Sequence, residues 1–165
     1  MSTHIAEIAW ALRPGEDFPN GRYSRGHSLG FDGGATLAGS ASPHVVGKWA
    51  VPEAVDPEEM LVAALSSCHM LTFLHRARLA GFSVCAYRDR AEGVMAEVDP
   101  GRHAVTRVTL RPEIAWSGGE PDAETLARLH HEAHAECFIA NSVKTEVVVA
   151  SERATGPVTA VGSQP

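Results

Sequence analysis

Two cysteines, at comparable places on two predicted helices, are the residues best suited to chemistry in this chain. Cys68 ends a stretch that starts with two carboxylates and continues as an almost uncharged helical run, residues 57–67. Cys137 closes a second helical segment, residues 130–137. Two thiols that can be joined and separated again would support redox chemistry. Because the two are far apart in the sequence, only the fold can bring them together.

Cysteine is among the residue types that are most often buried in the core. We keep that interpretation for Cys85, which lies in the strand-like segment 82–87. Cys68 has a more polar setting, since Ser66 and Ser67 precede it. Cys137 lies where its predicted helix ends, and a helix end moves more easily than a helix middle. Cys68 and Cys137 are therefore the candidates for a reactive pair.

A reactive thiol on an apolar helix needs a neighbouring cation, because the thiolate is the nucleophile and a free thiol is mostly protonated at neutral pH. Lowering the pKa of a thiol by about two units takes about 2.7 kcal/mol. A guanidinium at about 4 Å is worth roughly 4 kcal/mol at an effective dielectric constant of about 20, so one fixed arginine suffices. The only lysines are Lys48 and Lys144, which favours an arginine as the cation. Arg25 and Arg22 are the candidates, although each also fits a solvated arginine on a strand.

Apolar periodicity and turn signals predict an α+β chain with mainly antiparallel strands. Asp56 is a good N-cap with Pro57 at the first helical position, and Gly81 is expected to end this first long helix. A second long helix is predicted over residues 121–137. The predicted strands cover residues 5–12, 23–31, 35–41, 82–96, 103–116 and 144–150, and a loop is predicted over residues 40–56.

The composition is that of one globular domain, which we predict over residues 1–150, with a flexible tail over residues 151–165. The net charge of −6 argues against a nucleic-acid partner. The most apolar segment, residues 60–74, is shorter than the roughly 18 apolar residues that span a bilayer, so no membrane association is expected. The first residues lack the pattern of a signal peptide, which predicts a cytoplasmic protein whose disulfides are transient and catalytic.

The segments around both cysteines resemble one known family. Residues 57–68, from Pro57 and Glu58 to Cys68, are similar to the Pro-Glu-(x)-Leu-x-Ala-Ala-x-x-x-x-Cys helix of the OsmC and organic hydroperoxide resistance (Ohr) proteins. Residues 133–137 followed by Asn141 are similar to the second-cysteine segment of that family. The motifs and the order of elements cover nearly the whole chain apart from its tail. The sequence departs from the family at Phe138, where Ohr proteins usually carry proline.

The resemblance implies a peroxiredoxin-like, thiol-dependent peroxidase that reduces organic (alkyl or lipid) hydroperoxides. Cys68 would be the peroxidatic cysteine, which becomes a sulfenic acid and then forms a disulfide with the resolving Cys137. Glu58 would hold the catalytic arginine, with Arg25 preferred over Arg22. An external dithiol, of lipoyl type or another, would reduce the disulfide, and no cofactor or metal is implied. Four side chains could wall an apolar substrate site or simply pack in the core: Leu61, Leu65, Leu71 and Phe73.

The distance between Glu58 and Cys68 has a consequence for assembly. Ten residues on one helix span about 15 Å along the axis. One arginine cannot easily pair with Glu58 and contact Cys68 of the same chain, whereas two crossed copies could bring one chain's Glu58 to the other's Cys68. We therefore predict an OsmC-like fold, with antiparallel sheets packed around two long helices, that forms an intertwined homodimer with composite sites. The family resemblance implies the same.

Three other functions compete with a peroxidase. His130, His134 and Cys137 fall at i, i+4 and i+7, so they could present a metal-binding face. An exposed histidine-rich face is the favoured interpretation, because no fourth ligand is evident. A cysteine hydrolase could use His69 or His75 as its base, but adjacent helical residues point about 100° apart, which disfavours His69 beside Cys68. A non-catalytic binding protein could also retain the OsmC fold.

Overall fold

The computed structural model describes residues 1–150, and the predicted tail over residues 151–165 lies outside the described residues. The elements follow in chain order as β1 Ala6–Ala9, β2 His27–Phe31, β3 Thr36–Gly39, α1 Pro43–Val46, α2 Pro57–Leu79, β4 Val84–Asp89, β5 Glu92–Asp99, β6 Arg102–Leu110, β7 Pro112–Trp116, α3 Ala123–Glu136 and β8 Glu146–Val149. The predicted α+β class with two long helices is confirmed. The chain divides into two compact units, Met1–Met60 and the part that begins at Leu61.

The first unit contains an antiparallel sheet in the order β1-β2-β3. The turn between β2 and β3 uses Gly34, whose φ of 85° favours glycine. The segment predicted as a loop over residues 40–56 contains the short helix α1 and a 3₁₀ turn over Gly47–Trp49. The helix forms because the Ser42 side chain accepts a hydrogen bond from the His44 N–H and Pro43 occupies the first turn.

The boundaries of α2 confirm the prediction from its end signals. Asp56 Oδ1 accepts a hydrogen bond from the Glu59 N–H at 2.7 Å, and Glu59 Oε2 accepts one from the Asp56 N–H at 2.9 Å. This reciprocal capping box fixes the first turn. At the other end, Gly81 has a φ of 86°, and the Phe82 N–H donates to the carbonyl of Ala77 at 3.0 Å. That pattern is the usual glycine-terminated helix end.

The second unit holds two sheets, with strand orders β4-β7 and β5-β6-β8. The β4–β7 and β5–β6 pairs are antiparallel, whereas β6 and β8 are parallel. The predicted single strands 82–96 and 103–116 are each divided in two, at residues 90–91 and at Arg111. The Asp89 carboxylate accepts hydrogen bonds from the Arg111 N–H at 2.6 Å and from Ser66 Oγ at 2.5 Å. Since Pro112 also lacks an N–H, the ladder cannot continue there, and the two-stranded ribbon passes from one sheet to the other.

One face of α2 supplies most of the core in the second unit. Phe73 and Ala77 form one buried cluster with Leu129 and Ala133 of α3. Leu65 forms a second buried cluster with two residues of β6, Val108 and Leu110. The remaining faces of α2 are therefore free to present polar side chains. No helix within residues 1–150 is both long enough and apolar enough to cross a bilayer.

Candidate active site

Cys68 and Cys137 lie side by side in the second unit as free thiols. Cys68 is half-buried on α2, and Cys137 is the buried C-cap residue of α3, with 1% of its surface exposed. Burial raises the pKa of Cys137 to about 11, and its interaction with the Cys68 thiol contributes to that rise. Cys137 is therefore protonated at neutral pH. The two cysteines that the sequence nominated are thus brought together by the packing of α2 and α3.

The end of α3 holds Cys137 in place through local hydrogen bonds. The Ala140 N–H donates to Cys137 Sγ at 3.4 Å. Asn141 donates from its side-chain amide to the carbonyl of Ala135 at 2.9 Å, and its backbone N–H donates to the Cys137 carbonyl at 3.0 Å. Asn141 thereby satisfies two carbonyls that a helix end leaves free. This gives a physical role to the asparagine that lies four residues after the second cysteine.

A cleft with a volume of about 750 Å³ opens beside Cys68. Leu71 lines this cleft, which agrees with its predicted place in the wall of a substrate site. Leu65 and Phe73 instead have the alternative role that the sequence allowed, because both are fully buried in the core. The cleft has an apolar wall and several polar groups, and its lining consists of Ala64, Ser67, Cys68, Leu71, Thr72, His75, Glu136, Phe138, Ile139 and Asn141. A cleft with this lining suits a small, largely apolar molecule, which would lie beside Cys68.

The two residues predicted to activate Cys68 belong to the first unit. The Arg25 guanidinium lies 3.5 Å from the centre of the Tyr23 ring, and its Nη1 donates to the Tyr23 carbonyl at 2.6 Å. Glu58 lies in the first turn of α2. Within residues 1–60, no ion pair joins Arg25 to Glu58. Arg22, the second choice, is exposed, and its backbone pairs with that of Asp17.

Two histidines, the buried His69 and the half-buried His130, form a pair across α2 and α3. His69 Nε2 and His130 Nδ1 are 3.1 Å apart, and their rings are stacked. Burial lowers the pKa of both residues to about 4. The interpretation of His130 and His134 as an exposed face is therefore wrong, because both are partly buried and His130 points to α2. Within residues 1–150, no three His, Cys, Asp or Glu side chains are arranged to hold a metal ion.

The structure decides the position of three further residues. His69 is 1% exposed and pairs with His130, so it is not placed to act as a base for Cys68, whereas His75 shares the cleft with Cys68. Cys85 is exposed on β4 rather than packed in the core, and its thiol donates to the Ala115 carbonyl at 3.3 Å.

Sequence reasoning missed an ion pair next to the site. Arg76 of α2 donates to the Glu136 carboxylate through Nε at 2.9 Å and also through Nη2. Glu136 is the residue before Cys137 and lines the cleft. The pair joins residues 60 positions apart, so no local spacing could have signalled it.

A sequence profile described as OsmC-like protein matches residues 50–152, which is more than half of the chain. This chain belongs to the OsmC-like protein family. Cys68, Cys137, the cleft and both long helices lie within the matched residues. The resemblance seen in the two cysteine motifs is thus confirmed.

Known proteins of the family resemble this OsmC-like chain to different degrees. An OsmC-like protein of unknown function from Vibrio cholerae has 47% sequence identity, with a TM-score of 0.87 over 91% of this chain and 99% of that one. Peroxiredoxin OsmC of Escherichia coli is 29% identical over 94 residues, which are 57% of this chain and 64% of that protein. An organic hydroperoxide resistance protein from Legionella pneumophila, at 19% identity, shares the fold with a TM-score of 0.64 over 91% of this chain and 98% of that one. This OsmC-like chain therefore matches less than two thirds of the length of the E. coli peroxiredoxin.

Proposed function

We propose that this OsmC-like protein is a thiol-dependent peroxidase that reduces organic hydroperoxides. The observation that carries the proposal is the interaction between the Cys68 and Cys137 thiols, of which Cys68 lines a partly apolar cleft. Cys68 reaches the cleft, where a peroxide can approach, whereas Cys137 is buried and does not line it. The names of the E. coli and Legionella relatives, a peroxiredoxin and an organic hydroperoxide resistance protein, support the same chemistry.

The proposed cycle has three steps. The Cys68 thiolate attacks one peroxide oxygen, the O–O bond breaks, and the other oxygen leaves as an alcohol after taking a proton, so Cys68 becomes a sulfenic acid. The Cys137 thiol then attacks the Cys68 sulfur, and its proton leaves with the sulfenic oxygen as water while the disulfide forms. An external dithiol reduces that disulfide by exchange and is itself oxidised to a disulfide.

Arg25 and Glu58 are proposed to activate Cys68. The guanidinium would stabilise the thiolate and the negative charge that develops on the leaving oxygen. Glu58 would fix that guanidinium through two parallel hydrogen bonds. Since Glu58 and Cys68 are about 15 Å apart along α2, we propose that the partner chain of a homodimer supplies the missing contact.

The cleft lining supports an organic rather than an inorganic peroxide. Leu71, Phe138 and Ile139 offer apolar surface beside Cys68. Burying apolar surface is worth roughly 25 cal/mol per Å², which an alkyl or lipid hydroperoxide gains and hydrogen peroxide does not. A reducing compartment such as the cytoplasm would supply the dithiol that the cycle needs.

The test is consumption of an alkyl hydroperoxide by the purified protein in the presence of a dithiol. Cys68→Ser should abolish turnover. Cys137→Ser should still consume one equivalent of peroxide per chain but should form no intramolecular disulfide. Cys85→Ser is the matched control, because this cysteine is exposed on another element, and it should turn over like the parent.

Two results would contradict the proposal. Peroxide consumption that is unchanged in Cys68→Ser would show that this thiol is not the peroxidatic group. Turnover in Cys137→Ser at the parent's rate would show that no disulfide with Cys137 is needed. Mass spectrometry of the peroxide-treated parent should find peptides joined through Cys68 and Cys137.

A further inference from the structure

A cluster of charged side chains joins α2 to α3 next to the candidate thiol pair. Arg76 contacts Glu136 through two nitrogen–oxygen hydrogen bonds and also lies 3.9 Å from Glu132. Arg128 donates to Glu132 at 2.8 Å within α3. Arg76 is the only member of this cluster on α2, so the ion pairs of the cluster reach α2 only through Arg76.

Each half of the Arg76–Glu136 pair lies on the same element as one of the two cysteines, or directly before it. Arg76 follows Cys68 by eight residues, which is about 12 Å or two turns along α2. Glu136 is bonded directly to Cys137 and lines the cleft that Cys68 also lines. The pair between Arg76 and Glu136 therefore attaches the cysteine-bearing end of α3 to the helix that carries Cys68.

Formation of a disulfide places strict demands on that end of α3. The two sulfurs must approach to about 2.05 Å with Cα atoms roughly 4.4–6.8 Å apart. Cys137 is held by an Ala140 N–H and lies at a helix end, where the backbone has fewer constraints than inside the helix. An attachment that limits how far this end can move raises the effective concentration of one sulfur at the other.

Two features of the pair suit it to this task. Paired hydrogen bonds between a guanidinium and a carboxylate fix orientation as well as distance. The pair also joins the two helices at the residue directly before Cys137, so it acts on the position of that cysteine.

We propose that Arg76 is a positioning residue for disulfide formation: by holding Glu136, it keeps Cys137 within reach of the Cys68 sulfenic acid. The inference rests on the proposed peroxidase function. It assigns Arg76 to the second step of the cycle, in which Cys137 attacks the oxidised sulfur and water leaves. Arg76 takes no part in the attack of Cys68 on the peroxide.

The experiment uses one equivalent of an alkyl hydroperoxide and follows both steps in the full-length protein by rapid quenching with a thiol-alkylating reagent and mass spectrometry. In Arg76→Gln, oxidation of Cys68 should proceed within about twofold of the parent's rate, whereas disulfide formation should slow by about three- to tenfold. With excess peroxide the delayed sulfenic acid should accumulate as sulfinic acid. Arg128→Gln is the matched control, since it loses an ion pair of the same cluster without contacting Glu136, and it should behave like the parent.

Further variants separate positioning from general stability. Arg76→Lys keeps the charge but not the paired geometry, and it should recover part of the lost rate. Glu136→Gln should reproduce the slow disulfide formation, and the double variant Arg76→Gln/Glu136→Gln should be no slower than either single variant, because both remove the same interaction. These expectations hold for any variant that keeps the parent's circular dichroism spectrum.

Failure of the inference is distinguishable from failure of the proposed function. If the parent forms no sulfenic acid and no disulfide, the peroxidase function is wrong and the role of Arg76 is wrong with it. If the parent completes both steps and Arg76→Gln forms the disulfide at the parent's rate without extra sulfinic acid, only the inference is overturned. Disulfide formation that is slowed equally in Arg76→Gln and Arg128→Gln would also overturn the inference, because the loss of any positive charge in the cluster would then explain the effect.

Discussion

At the scale of single residues, the two thiols of the candidate site differ in their surroundings. Cys68 reaches a cleft, where a substrate can approach it. Cys137 is buried, and its pKa of about 11 keeps it protonated at neutral pH. In the proposed cycle, a protonated resolving cysteine would not compete for the peroxide, and it would carry the proton that the departing sulfenic oxygen needs. The difference in surroundings would thus order the two proposed steps.

This difference predicts how Cys137 reacts with an alkylating reagent. At pH 7, iodoacetamide should modify Cys137 much more slowly than Cys85, because Cys137 is both buried and protonated while Cys85 is exposed. Cys68→Ala should lower the pKa of Cys137, because the Cys68 thiol contributes to raising it. Peptide mapping over a range of pH measures both effects. Equal rates for Cys137 and Cys85 at pH 7 would contradict the prediction.

The pair formed by the buried His69 and the half-buried His130 predicts a loss of stability in acid. Burial is the main cause that lowers both pKa values from 6.5 to about 4, with His134 adding to it at His69 and Asp89 of β4 opposing it. Well above pH 6.5 both histidines are neutral whether the chain is folded or unfolded, so they add no pH dependence there. Between pH 6.5 and about 4 the unfolded chain binds the protons, and each histidine lowers the free energy of unfolding by about 1.4 kcal/mol per pH unit.

Urea denaturation at pH 7 and pH 5 measures this dependence. His69→Gln removes one titrating group, so the loss of stability between the two pH values should shrink by about one proton's contribution. The matched control is His131→Gln, because it replaces an exposed histidine of α3 by the same residue type, and its loss of stability is compared with that of His69→Gln. An unchanged slope in His69→Gln would refute the assignment, whatever the stability of that variant at pH 7.

At the scale of elements, the start of α2 depends on one pair of side chains. Asp56 and Glu59 each accept a hydrogen bond from the other's backbone N–H. Asp56→Ala should lower the free energy of unfolding by about 1 kcal/mol, because it leaves a helical N–H without its partner. Glu59→Gln should change stability little, since glutamine completes the same capping box. Chemical denaturation compares the two variants, and equal losses would contradict the capping role.

The elements also show why some of the fold could be predicted from the sequence. The ends of α2 depend on Asp56, Pro57 and Gly81, which act on the nearest turn and can therefore be recognised locally. The breaks at residues 90–91 and at Arg111 depend on one carboxylate, Asp89, that joins β4 to the segment after β6. No pattern of apolar residues signals such a contact, so two long strands were predicted where the chain forms four.

The same contrast applies to the candidate site. Cys68 and Cys137 could be nominated because each belongs to a recognisable helical motif. The pairs Arg76 with Glu136 and His69 with His130 form only when α2 packs against α3, across about 60 positions of sequence. Surface arginines and histidines without that contact have the same appearance in the sequence. Arg25, Glu58 and the dimer stay predictions.

At the scale of the whole molecule, the length of α2 sets the last prediction. Glu58 and Cys68 are separated by about 15 Å along one helix, so an arginine that pairs with Glu58 is best placed to serve the Cys68 of another copy. We expect a homodimer by analytical ultracentrifugation, with each site built from both chains. In that arrangement Cys68→Ser and Glu58→Gln would each be inactive or strongly impaired alone.

Mixed dimers of these two variants test the composite site directly. When the variants are co-expressed with different tags, each mixed dimer combines one intact Cys68 with one intact Glu58 from the other chain at a single site, while its second site carries both changes. Random assortment makes half of the dimers mixed, so the total activity should recover to about a quarter of the parent's. Mixing Cys68→Ser with Cys137→Ser is the control for exchange between chains. If purified mixed dimers of Cys68→Ser and Glu58→Gln are no more active than the separate variants, Glu58 acts within its own chain and the composite site is wrong.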